Sequence, residues 1–455
     1  MSTKKELAEK QIENTTRREW LVRAVKASLA YPLLGMGLGM LAFDGCKNKG
    51  PAAAPPNPGY SGIDDQLMDE IERAAFDFFW TEASPNTGQI KDRALATGSD
   101  MRKTMSSIAS TGFGLTALCI GDKRGYGNAA QIKSRVITTL DFLANKMPHE
   151  HGFFYHFVDP ESGARWTNDI EVSNIDTALL LCGIIFARQY YNDPQITALA
   201  NKIYQRMDWP WFLNGGKAFA MGWHAEKGFI EARWDHYCEL MMIYLLAIGS
   251  PTHPVSPETW KAWSRPAISY AGFNYIYGDS PLFVHQFSHA WFDFRNKRDA
   301  FADYFQNSID ATKAHKQFCL SLKSQFSDYS ENLWGITASD YAKGYTAWGG
   351  PPAKGPIDGT VVPCATAGSL PFVFSDCIAV LRNIRSTFGS LAWKRYGFVD
   401  AFNPLTNWYD PEVIGIDQGI SILMAENQRS GLVWKVFNTA PEVRSAMSAV
   451  GFHSS

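Results

Sequence analysis

The stretch "SNIDTALLLCGIIFARQYYNDPQITALANKIYQRMDWPWFL", Ser173–Leu213, decides the fold because it contains two helices of different character. Its first half is apolar on nearly every side behind Ser173 as an N-cap, which predicts a helix that is buried all round. Its second half, from Pro194, is amphipathic, which predicts a helix with one face in solvent. A short turn joins the halves, so we expect a hairpin of one inner and one outer helix.

The same alternation runs along the rest of the chain. "SSIASTGFGLTALCIG" (106–121) and "RWDHYCELMMIYLLAIGS" (233–250) are of the inner type, whereas "NAAQIKSRVITTLDFLANKM" (128–147) is amphipathic. We predict a single all-α domain, residues 63–455, in which six helical hairpins of about 66 residues close into an (α/α)6 barrel. The predicted inner helices include Ser106–Ile120, Ser173–Tyr190 and Arg233–Leu246. An open helical solenoid alternates in the same way, but long and unequal loops favour the closed barrel.

Composition excludes some classes of function. The formal net charge is −2 and only 19% of residues are charged, which gives no electrostatic basis for binding nucleic acid. The chain has 15 Trp, 18 Tyr and 29 Phe, more than one core usually needs. Six of the seven cysteines lie in apolar runs without CxxC spacing, so they are interpreted as buried hydrophobic residues and not as a disulfide framework or a zinc site.

The N-terminal segment predicts export. Arg17 and Arg18 precede Trp20 and Leu21 and then an apolar stretch, as in a twin-arginine signal. Residues 1–46 are interpreted as this signal and residues 47–62 as a Pro/Ala/Gly linker. The sequence "FDGC" ends the apolar stretch and leaves two alternatives open, lipid attachment at Cys46 or export without it. The predicted location is the periplasm or the outer membrane.

Acidic and aromatic residues precede the helix at Ser173. Trp166, Asp169 and Glu171 lie on a loop that no helix rule explains, and Asp176 falls in the first turn of the helix. For Asp176 the alternative is simple compensation of the helix dipole. His149, His151 and His156 share the preceding loop, where alternating aromatic residues indicate a contact surface more than metal ligation.

A second cluster precedes the most apolar inner helix. Arg233, Trp234, His236 and Glu239 lie in "EARWDHYCEL", and Glu239 follows Asp235 by four residues, so we expect both carboxylates on one helix face. Apolar surroundings would raise the pKa of the Glu239 carboxyl group, which suits a general acid. The alternative is a buried carboxylate that is paired with Arg233.

Two further loops carry candidate residues. "SENLWGITASDYAKGYTAWGGPP", Ser330–Pro352, holds Glu331, Trp334, Asp340 and Trp348 in a glycine-rich loop, where we expect the Trp rings to stack on sugar. Asp417 precedes another apolar helix, where the alternative is an N-cap without a catalytic role. Carboxylates and aromatic rings at four loop–helix junctions favour saccharide hydrolysis, which needs one carboxylic acid and one carboxylate. No GxSxG, HExxH or GxGxxG motif precedes a suitable element.

Several motifs in order resemble one family. They are "ARWDHYCELMMIYLLAIGSPTHP", "ENLWGITASD", "DGTVVPCATAGSLPF", "RYGFVDAFN" and "IGIDQG". This set resembles the bacterial glucoamylase-like domain group, which includes the β-1,2-glucanases of glycoside hydrolase family 144. The likeness covers about residues 63–437. It implies an (α/α)6 barrel and hydrolysis of β-1,2-glucan with inversion, by endo or exo action, in a pocket at the ends of the inner helices.

The combined interpretation is an exported inverting glycoside hydrolase that acts on a β-glucan and needs no metal or organic cofactor. Glu239 is the candidate acid, Asp417 the candidate base and Glu171 the second choice of base. Acidic positions in the matching motifs are expected to line one cavity. The rival hypothesis is a non-catalytic glycan-binding lipoprotein, which needs stacking aromatic rings but no buried acid and base.

Overall fold

The computed structural model describes residues 62–98 and 102–455. The predicted signal and most of the linker lie outside these residues. Within them the chain forms thirteen α-helices and three short 3-10 helices, at Pro257–Lys261, Leu282–His285 and Ser288–Ala290. The α-helices are α1 Asp64–Thr81, α2 Ile108–Arg124, α3 Ala129–Asn145, α4 Asn174–Tyr191, α5 Pro194–Gln205, α6 Trp209–Leu213, α7 Met241–Ile248, α8 Tyr304–Ser321, α9 Pro363–Ala367, α10 Phe374–Thr387, α11 Gly415–Arg429, α12 Leu432–Phe437 and α13 Pro441–Ala449.

The strands are short, and none in the described part of the chain exceeds four residues. They pair into eight antiparallel two-stranded sheets that decorate the loops. Their bounds are β1 Arg93–Leu95, β2 Ser106–Ser107, β3 Phe157–Val158, β4 Trp223–His224, β5 Gly228–Phe229, β6 Ala267–Tyr270, β7 Phe273–Ile276, β8 Lys297–Arg298, β9 Ser339–Tyr341, β10 Gly344–Thr346, β11 Trp393–Lys394, β12 Gly397–Phe398, β13 Phe402–Asn403, β14 Trp408–Tyr409, β15 Glu412–Ile414 and β16 His453–Ser454.

Six mostly buried segments form a closed inner ring. In chain order they are α2, α4, α7, the two 3-10 helices between residues 282 and 290, α9 and α11. Ser288 Oγ donates to the carbonyl of Glu239 at 2.7 Å, which ties the 3-10 segment to the start of α7. Gln286 Nε2 donates to the carbonyl of Ala365 at 2.8 Å, which ties that segment to α9. Because α11 packs against both α9 and α2, the ring closes. The fold is therefore the (α/α)6 barrel and not an open solenoid.

Amphipathic helices form the outer layer, as the hydrophobic periodicity predicts. Helix α1 packs between α11 and α2, and helix α3 packs against α5. The C-terminal helix α13 covers α7. Ser173 is the N-cap of α4, since its side chain accepts from the Asp176 backbone N–H. In the described part of the chain, no helix is both long enough and apolar enough to cross a membrane.

One inner helix begins later than its sequence indicates. The prediction of Arg233–Leu246 is wrong at its start, because α7 spans Met241–Ile248. The residues before it are held in an extended path by Ser264, whose N–H donates to the carbonyl of Asp235 and whose carbonyl accepts from the Tyr237 N–H. Asp235 and Glu239 therefore do not share a helix face, and Glu239 lies on the loop that leads into α7.

The contact between α2 and α4 provides a test of the barrel. Gly112 and Gly183 let these inner helices touch backbone to backbone, and a Cβ added at Gly183 would lie 2.0 Å from the carbonyl oxygen of Gly112. We expect Gly183→Ala to lower the free energy of unfolding by about 2 kcal/mol or more. Overpacking that backbone atoms cannot relieve costs about 3 kcal/mol, which exceeds the gain of about 1 kcal/mol in helix propensity.

Urea unfolding of Gly183→Ala measures this difference. Ser134→Ala, on the exposed face of α3, is the control and should change stability little. A Gly183→Ala variant as stable as the unsubstituted chain would contradict the close approach of α2 and α4.

Candidate active site

A cavity of about 370 Å³ opens at one end of the inner ring. Its lining includes residues from the N-terminal ends of α2, α4 and α11 and from the loop before α7, among them Ser107, Asp176, Ile416 and Glu239. The inner helices therefore run in the same direction and point their N-termini at the cavity. This end of a helix carries partial positive charge, which favours the carboxylates found here.

Glu239 is held at the cavity by a rigid loop. Its side chain lines the cavity while the residue is only 4% exposed. Ser288 Oγ donates to the Glu239 carbonyl and accepts from the Met242 N–H at 3.3 Å. Trp234 also lines the cavity, and its indole N–H donates to Asn174 Oδ1 at 2.9 Å. These bonds fix the backbone at Glu239 and the side chain of Trp234 against the starts of two inner helices.

His156 lies between two carboxylates on the α4 side of the cavity. Its Nδ1 is 3.4 Å from Glu171 Oε1, and its Nε2 is 3.6 Å from Asp176 Oδ1. Asp176 also accepts a hydrogen bond from the Ser173 hydroxyl. His156 and Asp176 line the cavity, whereas Glu171 is buried behind the imidazole and is not part of the lining. Through these contacts His156 orients Asp176.

Arg93 contacts three carboxylates on another wall of the cavity. Its Nη1 donates to Asp340 Oδ2 at 2.7 Å, its Nε lies 3.2 Å from Asp92 Oδ2, and its Nη1 lies 3.5 Å from Glu412 Oε2. Pairing of β1 with β15 brings Arg93 beside Glu412, and Arg102 adds a second cation to Glu412 at 2.6 Å. All three carboxylates line the cavity.

Two more buried carboxyl groups lie near Asp340, Asp400 behind the lining of the cavity and Asp410 within it. The Asp340 N–H donates to Asp400 Oδ2 at 2.8 Å. Burial and the nearby Asp417 raise the pKa of Asp400 well above its ordinary value. Burial and the charge of Asp340 raise the pKa of Asp410 to about 8. The raised pKa values favour protonated Asp400 and Asp410 at neutral pH. Burial also raises the pKa of Asp340, and the Arg93 guanidinium beside it counters part of that rise.

Among residues 62–98 and 102–455, two groups of side chains come close enough to hold a cation. Asp340, Asp400 and Asp410 each offer an oxygen within 4.8 Å of the others, and His156, Glu171 and Asp176 do the same with one nitrogen and two oxygens. Arg93 already neutralises Asp340, and the raised pKa values of Asp400 and Asp410 describe protonated groups that ligate poorly. The geometry is thus that of a proton-sharing cluster.

The structure brings six of the predicted site residues to this one cavity, from three separate loops. They are Trp166, Asp169, Asp176, Trp234, Glu239 and Asp340. Asp417 is not the N-cap of α11, which is Ile414; it lies in the first turn and faces a small adjoining space together with Asp400. Asp417 and Glu171, the predicted bases, therefore both stand one layer behind the lining.

The other predicted substrate contacts are wrong, because different interactions hold these side chains elsewhere. Arg233 donates to the carbonyls of Leu213 and Ala218, so it braces a loop. His236 lies 2.8 Å from Asp235 Oδ1 and outside the lining. The Glu331 side chain is 69% exposed and pairs with Lys316 on the surface. Trp334 and Trp348 are 0% and 1% exposed, so neither ring can stack on a sugar. Trp348 instead donates to Ser339 Oγ.

Residues that the sequence did not indicate line the cavity in their place. Tyr341, Tyr345 and Trp408 supply aromatic surface in the cavity beside Trp166. Tyr341 packs its ring against the buried Trp348 at 5.4 Å, so the Trp supports the Tyr that lines the cavity. The only sequence signal for Arg93 is the adjacent pair Asp92-Arg93, which a solvated turn would also show. Such residues are recognised only once the loops have been brought together.

The fold and cavity are those of an (α/α)6 barrel whose open end is rich in carboxylates. A family model described as "Putative glucoamylase" matches residues 231–441. A curated relative from Parabacteroides distasonis, an exo beta-1,2-glucooligosaccharide sophorohydrolase acting at the non-reducing end, is 28% identical over 429 residues, 86% of this chain. This chain spans 58% of the length of that relative.

Solved structures show the same likeness. An endo-beta-1,2-glucanase from Chitinophaga pinensis is 26% identical with a TM-score of 0.79, covering 87% of this chain and 99% of that one. A beta-1,2-glucanase from Parabacteroides distasonis is 27% identical with a TM-score of 0.80, covering 86% of this chain and 60% of that one. The resemblance to the glucoamylase-like group and its β-1,2-glucanases is thus confirmed over most of the chain.

Proposed function

We propose that this protein is an inverting glycoside hydrolase that cleaves β-1,2-glucan. The observation that carries the proposal is the buried Glu239, which shares one cavity with Asp340, the carboxylate paired with Arg93, and with seven Phe, Tyr and Trp side chains. Relatives that resemble the chain over 86% or more of its length act on β-1,2-glucan or its oligosaccharides, which supports this linkage. The reaction needs two carboxyl groups and water and no further cofactor.

Glu239 is the proposed general acid. A buried carboxyl group loses the hydration that stabilises its charged form, so it keeps its proton more readily. The glycosidic oxygen that leaves as an alcohol needs that proton as the bond breaks. The loop that carries Glu239 is fixed by Ser288 and by Trp234, so the carboxyl group can hold a constant position relative to the substrate.

Asp340 is the proposed base, in place of Asp417 or Glu171. It lines the cavity and is paired with Arg93, which favours its charged form, whereas the two carboxylates predicted from the sequence stand behind the wall. Asp400 and Asp417 form the proton-sharing layer behind it. Inversion expects the acid and base carboxyl groups roughly 6.5–9.5 Å apart, with the attacking water between them.

Release of reducing sugar from linear β-1,2-glucan tests the proposal, and proton NMR of the first product tests inversion. The α-anomer should appear first, because the substrate bond is β. The product profile also separates endo action, which gives mixed lengths, from exo action, which gives one disaccharide. No release from any β-glucan, together with retained binding, would favour the alternative of a glycan-binding lipoprotein without catalysis.

We further propose that the chain is exported by a twin-arginine signal. The support is the Arg17-Arg18 pair ahead of the apolar segment. Replacing both residues by Lys should keep the protein in the cytoplasm, because the pathway reads the arginines and not only the charge. Cell fractionation measures this, and Arg23→Lys is the control that should export normally. Cys46→Ser separates the two forms of export: a shift from membrane to soluble fraction indicates lipid attachment at Cys46.

A further inference from the structure

A second aromatic concavity lies on the outer wall of the barrel. It runs between α1, the start of α3 and the β11–β12 hairpin, and encloses about 600 Å³. We call it the outer groove and define it by Phe76, Trp80, Tyr126, Gln131, Trp393 and Arg395. It shares no residue with the catalytic cavity, and its two helices belong to the outer layer.

The aromatic rings of the outer groove are held in place and stay partly accessible. Trp80 and Trp393 are both half-buried. The guanidinium of Arg135 lies 4.8 Å from the centre of the Trp80 ring, and that of Arg385 lies 4.8 Å from the centre of the Trp393 ring. Rings that are already ordered offer contact area at little cost in conformational entropy. Such surfaces suit ligands with flat apolar faces.

The polar side chains at the rim are already neutralised. Arg395 pairs with Asp77 at 2.7 Å, and Glu70 lies 3.7 Å from Arg385. Two cationic and two anionic residues line the groove, so its net charge is zero. The two guanidinium groups are those of Arg395, paired with Asp77, and Arg73, 3.9 Å from the Asp69 carboxylate, so an anionic ligand such as a phosphate would compete with a carboxylate at each. A neutral ligand with many hydroxyl groups can still donate to the carboxylates and accept from Asn128 or Gln131.

We propose that the outer groove is a second saccharide-binding site that holds a stretch of the polymeric substrate away from the catalytic cavity. A neutral sugar chain combines apolar C–H faces with hydroxyl groups, as the rings and the neutral rim require. The identity of the polymer as β-1,2-glucan rests on the proposed function; the saccharide class rests on the groove. Binding here raises the local concentration of the polymer at the cavity.

Affinity electrophoresis of the full chain in gels that contain linear β-1,2-glucan tests the site. Glu239→Gln is the background, so that the polymer is not consumed, and an excess of a short oligosaccharide fills the cavity. Trp393→Ala should weaken retention about tenfold, the effect typical of a central aromatic contact. Gln131→Arg should weaken it similarly, since this exposed residue can obstruct the groove without removing a packed ring. Phe301→Ala, an exposed aromatic outside both cavities, should retain the polymer normally.

The outcomes separate this proposal from the proposed function. With active protein, Gln131→Arg should raise the KM for polymer and leave kcat on a trisaccharide unchanged. If oligosaccharide is hydrolysed but neither groove substitution changes retention of the polymer, the outer groove is overturned and the proposed enzymatic function is kept. If the protein hydrolyses no β-glucan but retains another neutral glucan, and this retention depends on Trp393, the proposed function is overturned and the outer groove is supported. Retention of no glucan overturns the groove.

Discussion

Glu239→Gln is expected to lower turnover on linear β-1,2-glucan by roughly two to four orders of magnitude, the usual contribution of a general acid. The substitution keeps the shape of the side chain and removes the transferable proton. Binding should persist, because Trp166, Tyr341 and the carboxylates near Arg93 remain. Initial rates of reducing-sugar release, with polymer binding measured in parallel, give both quantities.

Glu231→Gln is the matched control for this substitution. It makes the same chemical change eight residues earlier, at an exposed position, and should leave turnover near normal. A β-glucoside with an acidic phenol as leaving group offers a further distinction. That bond breaks without protonation, so Glu239→Gln should lose much less activity on it than on glucan. Equal losses on both substrates would point to a disturbed pocket, and near-normal turnover on glucan would remove Glu239 from the mechanism.

The fold could be predicted from the sequence because inner and outer helices differ in a local property. Ser106–Gly121 and Ser173–Tyr191 are apolar all round, and no arrangement except complete burial satisfies them. The start of α7 could not be predicted, because Ser264, a residue from a later loop, holds 235–237 in an extended path. The fourth inner position was equally hidden, since two short 3-10 turns occupy it and such turns lack a 3.6-residue period.

The site was predictable only in part, since residue type does not tell which way a loop side chain points. In the stretch 330–352, Asp340 and Tyr341 reach the cavity while Trp334 and Trp348 are buried beneath it. The larger Trp rings of this stretch lie in the core, where burial of their apolar area stabilises the fold most. The smaller Tyr rings, each with a hydroxyl group, remained at the surface of the cavity. A loop rich in aromatic residues therefore predicts a sugar site better than it predicts which ring touches the sugar.

In the proposed mechanism Arg93 favours the charged form of Asp340 as the base, and no local sequence pattern marks Arg93. Without the nearby cation the Asp340 carboxyl group would hold its proton to higher pH. Burial raises the pKa of Asp340, and the Arg93 guanidinium lowers it in part. The net effect is a raised pKa, so the ionised form is more basic than an ordinary aspartate and better suited to take a proton from water.

Arg93→Gln should therefore shift the acidic limb of the pH–rate profile to higher pH. The sign follows from the base: losing the cation raises the pKa of Asp340 further, so the carboxyl group stays protonated until the pH is higher. At a mildly acidic pH of about 6 we expect turnover to fall by about two orders of magnitude, the lower end of a general-base effect. Stability should fall by about 3 kcal/mol, the lower end for breaking a buried ion pair, because the Arg93 side chain is 28% exposed and solvent screens part of the loss.

Arg93→Lys separates the charge from the geometry. A Lys ammonium is a point charge that reaches one carboxylate well, whereas the guanidinium contacts Asp92, Asp340 and Glu412 together. We expect the Lys variant to recover most of the pH profile and only part of the stability. Profiles of kcat/KM between about pH 4 and 9, with urea unfolding of each variant, measure both. An acidic limb that stays in place in Arg93→Gln would show that the base is outside the Arg93 cluster, and Asp176, a carboxylate in the lining 3.6 Å from His156, would become the candidate.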